Sequence, residues 1–347
     1  MTEEKKGEKY TASVKLQIVS GIIFSIIVSW LLYIPLQQFK SEDEFPALVS
    51  LTPQKILNFG GAPSFVTVGM YIRDIPTFDI IEGHFVIDTN IWFRFDPRLV
   101  SLDRISQFTF DRAKILKRSE PYTRIEGNKL LARYDMRIEF NTTLNYDHFP
   151  LDDHQINFSI TNFFLTPSDI VFQSSTKNLA LNPKIQISGW KCIDKEIKTG
   201  FLEDKLDPND PKSIIYNPRV VFSLDFARTG VRHIVSILLP LLLIFFISIT
   251  TFTFNPYGRN GGNIISVSIA SITAVIAYRF VIDRMSPDVG YFMLSDYVFL
   301  FLLVSCCTIF VVNLFSMKIS GFFKNILTII LYLINIAIFI YIFKPLI

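Results

Sequence analysis

Cysteine is almost missing from this chain of 347 residues. Of its three cysteines only Cys192 lies outside the long apolar runs, so the polar part has no second thiol with which to form an internal disulfide. Cys306 and Cys307 sit inside an apolar run, where small polarisable side chains pack. Histidine is nearly as scarce: His84, His148, His154 and His233 are the whole set, at spacings unlike any ligand pattern such as H-E-x-x-H. His148 and His154 flank a pair of aspartates but read as solvated turn residues, so neither a metal nor another cofactor is expected. Net charge is only +3, which gives no reason to expect a nucleic-acid partner. There is no phosphate loop, no G-x-S-x-G and no nucleophile–base arrangement, and an enzyme is not expected. Internal repeats and low-complexity tracts are absent too.

What the chain has in quantity is hydrophobic sequence, 50% of all residues, unevenly spread. From Ile234 to Phe254 it reads IVSILLPLLLIFFISITTFTF, uncharged and long enough to cross a bilayer core of about 30 Å as a helix. Further spans are expected over Ile264–Ile282, Phe292–Phe315 and Ile326–Phe343. Four such segments in about 110 residues do not fit the interior of a soluble protein. Leu16–Phe39 is a fifth uncharged run. Its basic flank (Lys5, Lys6, Lys9, Lys15) suits a signal sequence, but the run is too long and YIPLQQFKSEDE offers no small-x-small cleavage site, so a retained signal anchor is the favoured reading.

Loop charges set an expected topology. With the N-terminus inside, NPYGRNGG and SMKISGFFKN face the cytoplasm carrying Arg or Lys and no acid, while DRMSPDVG faces outward and is mixed. The segment after the anchor is then extracytoplasmic. The expected setting is the cell membrane, with the polar domain outside the cytoplasm (periplasmic in a Gram-negative cell).

Between Ala62 and Gly230 the pattern is different. FVTVGMYI, HFVIDTNIWFRF, LLARYDMRIEF, HQINFSI, DIVFQSS, IQISGWKCI and RVVFSLDF are short, β-branched or aromatic, and separated by turn signals such as DPR, EGN and DPNDP. Such spacing predicts an antiparallel sandwich or barrel. The expected organisation is a cytoplasmic N-terminus and anchor helix (1–40), a linker (41–62), an extracytoplasmic β-domain (63–229) and a four-helix membrane domain (230–347). The fold class is mixed, β plus α.

Two stretches stand out. In GGNIISVSIASITAVIAYRFVID, Ser266, Ala270, Thr273 and Ala277 recur at helical spacing, with Gly262 before and Phe280 after. This face suits either tight helix packing or the lining of a water-filled pore. In FNTTLNYDHFPLDDHQINFSI, residues 140–160, a proline and two aspartates interrupt two good strands.

These stretches, taken in order, resemble the pentameric ligand-gated ion channels (the Cys-loop receptor superfamily), above all their prokaryotic branch. VGMYIRDIPTFDIIEGHFVIDTNIWFRFDPRL is similar to the family's first two strands, with Trp92, Asp96, Arg98 and Leu99 forming its W-x-x-x-D-x-R-L. Phe149, Pro150 and Asp152 resemble the F-P-x-D of its signature loop. VFSLDFART running into a span with Pro240 resembles its last strand and first pore-domain helix, and Pro287, Tyr291 and Asp296 the join between its second and third helices. Thr142 and Ile156 stand where eukaryotic members carry the loop cysteines.

The resemblance implies an immunoglobulin-like ligand-binding sandwich above a four-helix bundle, the anchor helix being additional. It implies a homopentamer opened by a small-molecule or proton agonist, passing inorganic ions and embedded in membrane lipids. Pore-lining positions would be Gly262, Ser266, Ile269, Ala270, Thr273, Ile276, Ala277 and Phe280. The gate would fall at Ile269 or Ile276, because Thr273 takes the usual hydrophobic position. Coupling between sandwich and helices would fall to Glu82, Phe149, Pro150, Asp152, Arg228, Pro287 and Tyr291, with Asp152 poorly solvated and Arg228 as its cation. Ligand contacts, on loops or loop edges, would be Phe110, Phe163, Phe164, Phe201 and Tyr216. A rival reading is a non-conducting solute sensor that signals through its helices.

Overall fold

The computed structural model describes residues 9–38, 45–50, 52, 54, 63–151, 153–207, 209–210, 213–229, 232–258 and 261–343. Most of the expected linker, and Asp152, lie outside the described residues. The chain divides into two compact units: a sheet unit (41–145 and 153–229) and a helical unit (1–40, 146–152 and 230–347). The loop 146–151 therefore groups with the helices rather than with the strands it joins.

Among the described residues the sheet unit has twelve strands: β1 (Val49–Ser50), β2 (Ser64–Asp79), β3 (His84–Phe95), β4 (Phe108–Phe110), β5 (Ala113–Arg118), β6 (Tyr122–Glu126), β7 (Lys129–Asn141), β8 (Asp153–Asn162), β9 (Ile170–Gln173), β10 (Leu179–Leu181), β11 (Trp190–Lys205) and β12 (Ile214–Arg228). One sheet runs β1-β11-β12-β8-β4. The other runs β10-β2-β3-β7-β5, with β6 also on β7 and β9 also on β2. Most pairs are antiparallel, but β9 and β10 join β2 in parallel, a departure from the purely antiparallel expectation.

Alternation makes the interior. In β3, Phe85, Ile87, Thr89, Ile91, Phe93 and Phe95 are buried while the intervening residues are only partly so, as a strand with one packed face requires. Aromatic rings bridge the two sheets, Phe93 to Phe108 at 4.7 Å, Phe78 to Phe226 at 4.9 Å and Phe140 to Phe158 at 5.0 Å. Such pairs add about 0.5–1.5 kcal/mol each beyond their buried area. Opposite Trp92, Gly69 is required: a Cβ there would lie 2.1 Å from the indole. On the other face Arg137 grips Asp88 through two 2.7 Å bonds, and this holds the Asp88 carboxyl below its ordinary range. After the N-terminal helix α1 (Val14–Gln38), a short helix, α2, covers Leu102–Ser106.

The helical unit contains α1 (Val14–Gln38), α3 (Arg232–Thr250, continued by a 3₁₀ turn to Thr253), α4 (Asn263–Met285), α5 (Leu294–Leu314) and α6 (Gly321–Phe343). All five are long and apolar enough to cross a membrane. With them the chain reads as a multi-pass membrane protein. The N-terminal span packs as part of the bundle: Phe24 is fully buried among Phe245, Phe246, Tyr332 and Phe339, with centroids 5.1–6.5 Å away.

Candidate functional site

The start of α5 and the loop 146–151 form one structure. A helix leaves its first N–H groups without intrahelical acceptors. Here two of them find main-chain carbonyls of the loop, Leu294 donating to Asp147 O (2.9 Å) and Ser295 to Phe149 O (3.1 Å). In return the Tyr146 N–H donates to the Tyr291 hydroxyl at 2.9 Å. Tyr146, Phe149, Pro150 and Leu151 are all buried, and the Phe149–Pro150 bond is cis. The charged, proline-bearing turn is thus a cap seated on a membrane helix.

Beside it lies an ion-pair cluster. Asp296, only 3% exposed, accepts from the Met293 N–H (2.8 Å) and from the Arg279 guanidinium, which crosses over from α4. Arg279 also holds Asp283 one turn along its own helix at 2.8 Å, and lies 5.5 Å from the centre of the Phe299 ring. A cleft of about 520 Å³ opens here, lined by Arg279, Asp283, Pro287, Tyr291 and Asp296 among others. The pair ties the end of α4 to the start of α5, next to the residues that the loop caps.

The third feature is the face of α4. All eight positions from Gly262 to Phe280 expected to line a pore are exposed in the single chain, whereas Ile264, Ser268, Ser271, Val275 and Ile282 are buried against the neighbouring helices. The exposed set follows steps of three and four and so shares one side of the helix. Its makeup differs from that of the other spans. On α3, for comparison, Val235, Leu239, Leu243 and Ile247 are outermost, while α4 presents Ser266, Ala270, Thr273 and Ala277 among its isoleucines.

The remaining expected residues are spread more widely. Phe149, Pro150, Pro287 and Tyr291 are brought together in the helical unit. Glu82 and Arg228 belong to the sheet unit, where the Glu82 N–H donates to Asp79 and Arg228 stacks over Trp190 at 4.5 Å. Asp152 lies outside the described residues. Of the ligand candidates, Phe163 and Phe164 are exposed, and Tyr216 is half-buried opposite Glu203, where burial and that carboxylate push its phenol up. Phe110 stands at a loop edge as expected but points into the core, whereas Phe201 is not at a loop edge. Phe110 ends β4 and packs on Phe108 and Phe140, and Phe201 is fully buried within β11 beneath the pairing with Val49.

Sequence reasoning overlooked Arg279. The signal was available, since Arg279 falls inside the expected span Ile264–Ile282, and an ionisable residue within a span is a functional candidate by default. Among the described residues no cluster of His, Cys, Asp or Glu has a metal-holding arrangement. No protein-family model matches the chain, and no curated protein sequence does.

Proposed function

We propose that the chain is one subunit of a pentameric, ligand- or proton-gated ion channel. In this reading the two sheets form an extracytoplasmic immunoglobulin-like sandwich. The four helices α3–α6 form the pore domain, and α4 lines the pore. The observation that carries the reading is the exposed face of α4. Hydroxyl and methyl side chains turned outward gain little from lipid, but around a water-filled axis they meet ions while the buried face meets protein. One helix cannot enclose water, so several copies are needed; the number five follows the resemblance. The loop cap on α5 and the Arg279–Asp296 pair supply the route by which an outer signal reaches α4.

Thiol reactivity tests this. In a background with Cys192, Cys306 and Cys307 replaced, Ser266→Cys and Thr273→Cys should each react with a hydrophilic thiol reagent and alter the current of the reconstituted protein. Native mass spectrometry in detergent should show five chains. Reaction at Ile265→Cys and Ile272→Cys, with silence at the first two, would overturn the assignment of the pore face.

A further inference from the structure

The N-terminal helix does more than anchor. At the end of the helical unit where α3 stops and α6 starts, hydrogen bonds run through all five spans. On α6, Asn325 Oδ1 accepts from the Ser13 N–H (2.8 Å), and the Gly321 N–H donates to Lys9 O (2.8 Å). The fit is close, for a Cβ on Gly321 would lie 2.0 Å from Thr11 O. From the same segment the Ala12 N–H donates to Phe252 O (2.9 Å) and Gln17 Nε2 to Ile249 O (3.0 Å). Those carbonyls belong to the terminal turns of α3, where a helix runs out of its own i→i−4 donors. Between them Thr251 accepts from Asn313 Nδ2 of α5 at 2.6 Å, and the same nitrogen reaches Ser268 on α4 at 2.8 Å.

Gln17, Thr251, Asn313 and Ser268 are each at most 5% exposed. Polar side chains in such a setting join helices because hydrocarbon offers them no other partner. The chain of bonds ends on the buried side of α4, opposite the face that carries Ser266 and Thr273.

We infer that α1 and the Asn313 junction form a polar belt that positions this end of α4, making Gln17 and Asn313 positioning residues for the gate; the gating part rests on the channel reading above. Four helices would leave the Ile249 and Phe252 carbonyls without these donors. The fifth supplies those donors and joins α6 to the chain of bonds.

The test uses the full chain in lipid nanodiscs, read by hydrogen exchange, which needs no current. Gln17→Met keeps the side-chain length and removes the donor. Amides of residues 264–272 should then exchange about three- to tenfold faster, while Ile22→Ala, on the outer side of α1, leaves them unchanged. Faster exchange confined to residues 249–253, or none, overturns the belt. Should Gln17→Met not be recovered, Asn313→Ala is read in the opposite direction, at residues 9–17, where unchanged exchange is equally fatal. In planar bilayers Gln17→Met should shift open probability at least about threefold with unit conductance unaltered. Faster exchange with unshifted open probability would refute the gating role, whereas a chain that never conducts would refute the channel reading and leave the exchange result standing.

Discussion

Removing the two partners of the Arg279–Asp296 pair should have unequal effects. Among the described residues, Arg279→Gln leaves Asp296, 3% exposed, with the Met293 N–H as its donor and no cation. An uncompensated buried charge costs about 3–5 kcal/mol, and the retained main-chain bond at a helix start places this case near about 3. Asp296→Asn is milder. Arg279, with its side chain 32% exposed, keeps Asp283 at 2.8 Å, so the loss is about 1 kcal/mol, the scale of one hydrogen bond. The double variant should then be more stable than Arg279→Gln alone, because it removes the stranded carboxylate. Thermal unfolding in one detergent, followed by near-ultraviolet circular dichroism, should rank the proteins as parent, Asp296→Asn, double variant, Arg279→Gln. If Arg279→Gln melts no lower than Asp296→Asn, or the double variant melts below it, the pair does not carry a buried charge and the reasoning fails.

Phe149→Ala empties a fully enclosed site in the loop cap and should cost about 3–5 kcal/mol, seen as a lowered melting midpoint together with faster exchange at Leu294 and Ser295. The Asp88–Arg137 grip predicts a pH dependence. The folded pKa of Asp88 lies below its unfolded value, so its contribution is present above about pH 4 and fades as pH falls through the lower folded value. Asp88→Asn should flatten the acid limb of stability against pH, and an unaltered limb would show that the grip is solvent-screened to nothing.

The spans were readable because length and the absence of charge decide them, and HFVIDTNIWFRF was readable because strict alternation does; its limits coincide with those of β3. β5 and β6 were not. AKILKR and YTRIE are largely exposed, so no buried face imprints a period on them. The charged run that continues β11 past Ile193 is held as a strand by β12 rather than by its own pattern. Parallel pairing of β9 and β10 on β2 has no local signal, since direction is set by where the chain returns. At the candidate site the proline-bearing turn announced itself. The aromatic ligand candidates did not, because 34 phenylalanines in one chain serve mostly as filling, as Phe110 and Phe201 do.

The bonds by which the loop holds α5 run from main-chain N–H to main-chain carbonyl. Those two bonds do not themselves read side chains: the carbonyl of Asp147 reaches Leu294 through the backbone alone. Alanine scanning would register the packing of Phe149 but not the two main-chain bonds themselves, and a search for shared residues would find little in those bonds to align. What the join cannot tolerate is a change of spacing, or an imino acid at 294 or 295, where the donor itself would vanish. The join is therefore best probed by single-residue insertion on either side of Tyr146–Leu151 and by proline at those two positions, and relatives that have drifted in sequence would be expected to keep its length before its letters.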